Sequence, residues 1–154
     1  MKKYKSFFIL LLVGSYSLNA TSISKAYDAL RIYNYFEAKR LFEKSIKKNP
    51  APAAFGLSNI YFRKDNPFSN IDSAYNYILI SEKNYPSLSE KNKTSLYQFG
   101  VTKNAIDSVK NLIHESAFEI YQKQNTISGF DKFISIYTTA PQISDAIELR
   151  NELA

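Results

Sequence analysis

The chain has a single histidine, His114, in "LIHESAF", followed by Glu115. A helical zinc-protease site needs a second histidine four residues after the first, and Phe118 stands there, so the motif fails. With no cysteine anywhere, a lone imidazole cannot complete a structural zinc site, and a thiol nucleophile is excluded. Asp65 and Asp72 lie in or beside the polar stretch "KDNPFSN", where they read as solvated carboxylates near helix starts rather than as an acid–base pair. Only four glycines are present, and neither a phosphate loop, a dinucleotide fingerprint nor a nucleophile elbow can be found. No catalytic, cofactor-binding or metal residue is assigned, and the expectation is a protein that is not an enzyme.

The residues with a positional argument are two arginines. Arg31 lies five residues after the small Ala26, and Arg63 five after the small Ser58, so both hold the same place on their helices. Tyr27 and Asn59, each one residue after its small position, should lie beside them. A planar guanidinium can bond both oxygens of a carboxylate.

Helices must supply that placement. In "YFEAKRLFEKSIKKNP", Ala38, Leu41, Phe42, Ser45 and Ile46 recur at three- and four-residue spacing, with Lys39, Arg40, Glu43, Lys44 and Lys47 opposite. Pro50 ends the pattern, because proline cannot continue the hydrogen-bond ladder. Before it, "SISKAYDALRIY" forms a shorter helix and Asn34 the turn. The landmarks return: Ala38, Ser45 and Pro50 recur as Ala74, Ser81 and Pro86, each displaced by 36 residues. Small residues at such places let antiparallel helices approach closely, and a hairpin that cannot cover its own apolar face stacks on the next.

Beyond Pro86, "SLSE" (Ser87–Glu90) has the form of a capping box. A long helix follows, with Asn104 as the expected cap and Ile106, Val109, Ile113, Ala117 and Ile120 along one face; His114 falls at the edge of that face. "TISGFDKFISIYTTAPQISDAIELRNELA" then reads as helix, Pro141, helix. Of Tyr33, Tyr35, Tyr61, Tyr75, Tyr77 and Tyr97, most are expected to fill space between helices rather than form a recognition surface.

"NYFEAKRLFEKSIKKNP" resembles the second half of a tetratricopeptide repeat, and "LSNIY" (Leu57, Ser58, Tyr61) is similar to that family's first-helix signature. The link before Ala74 has the spacing of the Sel-like relatives, without their loop glycines. The first unit has Lys25 and Ala29 where the signature has Leu and Tyr. The resemblance implies an all-α, right-handed α-solenoid of three to four hairpins, in units of about 24–50, 51–86, 87–125 and 126–154. It further implies a concave groove, lined by the first helices, that holds a peptide or partner protein. Tyr27, Arg31, Asn59 and Arg63 would lie in that groove.

"MKKYKSFFILLLVGSYSLNA" has a basic start, a seven-residue apolar run (Phe7–Val13) and a polar stretch ending on Ala20. That is the layout of a secretory signal peptide, and the run is shorter than the roughly 20 residues of a membrane span. Cleavage near Ala20 would export the chain to the periplasm or cell surface, with membrane attachment only through the uncleaved signal. Removing that segment takes away three lysines and no acid, so the formal charge falls from +6 to +3. The remaining lysines are scattered among acids, not gathered into the basic face that nucleic-acid binding needs. The expectation is an exported scaffold, similar to Bacteroidota-like envelope proteins, that mediates protein–protein interaction. The alternative is a substrate-recognition or spacer module of a larger envelope protein or enzyme.

Overall fold

A computed structural model describes residues 20–154. The signal-peptide reading of residues 1–20 therefore falls almost wholly outside the described residues. Eight helices make up the described chain: α1 (Ala20–Arg31), α2 (Tyr35–Ser45), α3 (Pro50–Phe62), α4 (Ile71–Asn84), α5 (Glu90–Tyr97), α6 (Lys103–Gln124), α7 (Ile127–Ile136) and α8 (Ile143–Glu152). The class is all-α, with no strand among the described residues. No helix there is long and apolar enough to cross a membrane.

Polar caps start most of these helices. Asn34, Asn70, Thr102 and Thr126 each accept a backbone N–H from three residues on, at 3.3, 2.8, 3.1 and 3.0 Å, satisfying donors that the helix cannot. Two expected starts shift. Ser89, not Ser87, caps α5 by accepting from Asn92 N–H. Thr102, not Asn104, caps α6. In both cases the residue adopting extended backbone at the boundary is the one whose side-chain oxygen can reach back to the first turn. Pro50 both ends the α2 pattern and opens α3, where its missing N–H costs nothing.

Helix α3 is the centre of the molecule. Residues Ala51 to Ser58 and Ile60 are all buried, as a helix covered on several sides requires. It packs on α1, α2, α4 and α6. Gly56 lets α2 approach: a Cβ there would lie 2.2 Å from Phe42 Cζ. The small residues of the repeat also hydrogen-bond. Ser58 Oγ donates to the Ala74 carbonyl at 2.8 Å, and Ser81 Oγ to the Ala51 carbonyl at 2.9 Å. Ser45, 36 residues before Ser81, shares a 2.9 Å hydroxyl pair with Ser22 of α1. Each of these serines ties the second helix of a hairpin to the first.

Packing then departs from simple succession. Helix α6, not α5, lies along α4, and α7 packs on α6 and α8. Helix α5 is held chiefly through Leu96, buried in the core, and through the link that follows it. Gly100, with φ +71°, makes the sharp turn of that link. The buried face of α6 is rotated from the expected stripe: Ile106, Ile113 and Ala117 are buried, but so are His114 and Tyr121, while Ile120 is exposed. His114 thus sits within the core and not at its edge, because α4 and the end of α7 close over that side. Phe130, Phe133, Tyr137, Ala140 and Ala146 are buried, whereas Pro141 is exposed. Tyr35 and Tyr75 are buried and Tyr61 and Tyr77 pack against the core, but Tyr33 and Tyr97 face solvent.

Candidate functional site

A depression of about 480 Å³ opens between α1 and α3, and Tyr27, Arg31, Asn59 and Arg63 all line it. The equal offsets from Ala26 and Ser58 bring the two arginines to neighbouring helices on the same side, since α1 and α3 pack against each other. The floor is aromatic. Tyr27 stacks on Phe99 (centroids 4.9 Å apart, planes 10° apart) and meets the edge of Phe42 at 4.9 Å. Phe55 joins them, and Gln98 supplies a polar wall from the α5–α6 link.

The four residues do different jobs. Tyr27 is buried and its hydroxyl donates inward to the Pro52 carbonyl at 2.7 Å, so it serves the floor with its ring and has no free donor for a ligand. The Asn59 side-chain nitrogen donates to the Phe55 carbonyl at 2.8 Å, leaving its amide oxygen and a second N–H for the groove. Arg31 pairs with Asp28 at 2.7 Å, with both side chains largely exposed. Such a surface pair is worth well under about 1 kcal/mol and exchanges easily.

Arg63 is held far more firmly. Its Nε and one terminal nitrogen donate to the two oxygens of Asp65 at 3.2 and 2.8 Å. The guanidinium also sits 4.9 Å from the Tyr33 ring centroid and 5.6 Å from that of Tyr35. Tyr35 donates its hydroxyl to the same carboxylate at 2.8 and 2.9 Å. The hydrogen bonds from Arg63, and then from Tyr35, pull Asp65 down to about 2. The Asp65 bond in turn pushes the Arg63 guanidinium above its already high range. Asp65 therefore anchors an arginine while its own carboxylate stays half exposed to solvent, as expected of that polar stretch.

Comparisons with protein-family models, with curated proteins and with solved structures gave no match.

Asp72 belongs to a separate network. Tyr137 donates to it at 2.6 Å, Tyr121 more weakly at 3.2 Å, and Lys132 pairs with it at 2.9 Å. Burial raises its pKa, but these hydrogen bonds together with the Lys132 charge outweigh that and the net shift is downward. Asp72 thus joins α4 to α6 and α7, and the expectation of a solvated cap gives way to a cross-helix tie; Asn70 does the capping. Among the described residues, no three His, Asp or Glu side chains converge as a metal site would require.

Asp65 and Tyr33 could have been suspected from the sequence, since both lie within two residues of positions already singled out or of the turn. Gln98 and Phe99 carried no signal. They belong to a segment whose repeat position is undefined, and only tertiary packing lays it across α1.

Proposed function

We propose that the chain is a tetratricopeptide-type α-solenoid, exported to the bacterial envelope, that acts as a scaffold and receives a peptide segment of a partner protein between α1 and α3. The observation that carries this reading is the convergence of Tyr27, Arg31, Asn59 and Arg63 on one open depression with an aromatic floor and a rim of two arginines, each paired with an aspartate. Binding would bury an apolar side chain against Phe55, Tyr27 and Phe99, while a carboxylate of the partner exchanges with Asp28 for Arg31. Arg63, fixed by Asp65 and Tyr33, offers the N–H groups that Asp65 leaves free. Backbone contacts would use the Asn59 amide oxygen. A preset guanidinium loses little freedom on binding, which favours affinity.

The test is crosslinking and recovery of partners from intact cells, comparing the natural chain with Arg31→Glu and with Arg31→Glu/Arg63→Glu. Loss of the same one or few envelope proteins in both variants supports the groove. Arg31→Glu alone is informative because it leaves the Arg63–Asp65 pair intact. Retention of all partners in the double variant removes the groove from the proposal.

A further inference from the structure

His114 is the only histidine of the chain, is 1% exposed, and neither of its ring nitrogens has a hydrogen-bond partner. It lies on α6 beneath Tyr75 of α4 (ring centroids 5.3 Å) and beside Tyr137 at the end of α7 (6.4 Å). The charged groups facing it are Lys110 on its own helix and Glu82 on α4, which pair with each other. Tyr137 passes directly from the imidazole to Asp72, to which it donates its hydroxyl. Besides Asp72 with Tyr137 and Lys132, α4 meets this end of the chain through a 3.1 Å hydroxyl pair of Tyr75 with Thr139 and the packing of the Tyr75 ring on that of Tyr137 (centroids 4.6 Å). Helix α7 otherwise rests on α6 and α8.

We propose that this cluster is an acid-released latch, in which protonation of His114, and then of Asp72, frees the α7–α8 segment from the α4–α6 platform. A neutral imidazole can stay in this buried position at the cost of polar atoms that no protein group matches. An imidazolium cannot, because no acceptor reaches it and burying an unpaired charge is far more costly. The easiest relief is to lift Tyr137 and admit water, which also strips Asp72 of its shorter phenol donor and leaves it the weaker one from Tyr121. Burial, with the Lys110 charge adding, holds the His114 pKa below its ordinary 6.5, and Glu82 opposes only in part. A lowered histidine pKa means that its contribution is present above about 6.5 and is lost as pH falls below that value. Asp72, also lowered, keeps its contribution above the ordinary carboxylate value of 3.8 and loses it at more acid pH. The two steps act in the same direction, histidine first. Release would uncover the aromatic side of the platform, Tyr75 and Tyr121, together with Phe133 and Tyr137 of the departing segment.

The experiment uses the full chain and measures amide hydrogen-exchange protection, corrected for intrinsic rate, from pH 7.5 to 5.0. A histidine that titrates normally once freed raises the opening equilibrium by up to about 30-fold over that range. The expected result is such a loss of protection confined to α7 and α8, with α1–α3 unchanged, and its absence in His114→Phe. Asp72→Asn should lower α7–α8 protection about 10-fold or more already at pH 7.5. Because the chain has one histidine, its imidazole proton resonance can be followed by NMR without ambiguity even where a variant fails to fold. Titration of that resonance at or above 6.5 in the folded protein overturns the proposal. So does equal loss of protection across all helices, or an unchanged acid response in His114→Phe.

Discussion

Replacing Gly56 by alanine should destabilise this protein, although the same change in an ordinary helix stabilises it by up to about 1 kcal/mol through backbone entropy. The reason lies in one contact. The added Cβ would stand 2.2, 2.4 and 2.5 Å from the Cζ, Cε2 and Cε1 atoms of Phe42. Ordinary carbon–carbon contact is roughly 3.5–4.0 Å, so ring or helix must retreat by about 1.5 Å. The ring has nowhere to go: Phe42 is fully buried and lies edge-on to Tyr27. Tyr27 is itself held by its stack on Phe99 and its hydrogen bond to the Pro52 carbonyl. Overpacking of this kind costs about 1–3 kcal/mol. Set against the entropy gain, the net change should be a loss of about 1–2 kcal/mol. Urea unfolding followed by far-UV circular dichroism would show a lower midpoint with an unchanged slope. Phe42→Leu removes the clashing ring atoms, so the double variant should lose at least about 1 kcal/mol less than the two single losses added together. A Gly56→Ala protein more stable than the natural one, or simple additivity with Phe42→Leu, would refute the packing argument.

Ser81→Ala should cost about 1 kcal/mol by removing the buried hydrogen bond to the Ala51 carbonyl. Ser45→Ala should cost less, because the Ser45 hydroxyl faces a partly exposed Ser22 and its other bond is to its own helix at Leu41; urea midpoints of the two variants decide the order. Asp65→Asn should flatten part of the acid limb of stability. A carboxylate lowered to about 2 from an ordinary 3.8 contributes stability above 3.8 that disappears as pH falls through about 2, so natural and variant chains should converge below pH 2. Unfolding midpoints measured between pH 5 and 2 give the comparison, and parallel curves for the two chains would contradict the Arg63–Asp65–Tyr35 assignment.

The uneven hold on the two groove arginines has a consequence for recognition. Arg31 is paired across an exposed turn of its own helix, while Arg63 is fixed by a bidentate carboxylate and two aromatic faces. In the proposed groove, a ligand carboxylate would compete with a weak intrachain partner at one end and meet a preset cation at the other. Both arginines should therefore contribute to affinity, Arg63 through its preset geometry and Arg31 through a charge that is easily redirected, with shape selectivity set by the Tyr27, Phe55 and Phe99 floor.

Helix identity and several helix contacts were legible before any coordinates. Three- and four-residue spacing placed Ala38, Phe42 and Ser45 on one face, because a helix turns once in 3.6 residues and only that face can be covered. Pro50 and Asn34 marked ends, because a missing N–H or a short polar side chain acts within a single turn. The equal offsets of Arg31 and Arg63 likewise translated into shared position, since each is a local count along a regular helix. Where local counts stop, so did the reading. The face that α6 buries was rotated towards His114 and Tyr121 by neighbours far away in the chain, and no periodicity within α6 could show that α4 and Tyr137 would cover it.

By itself, then, the amino-acid sequence determined where helices form, which small residues allow close crossings, and which two arginines share a helix position. Tertiary structure alone decided that Phe99 stacks on Tyr27, that Asp65 pairs with Arg63 while Asp72 ties α4 to α6 and α7, and that a lone histidine is buried in the core. The physical reason is range. Caps, periodicity and proline breaks act over a few residues along the backbone, whereas burial and charge pairing depend on which surfaces meet after the helices have packed.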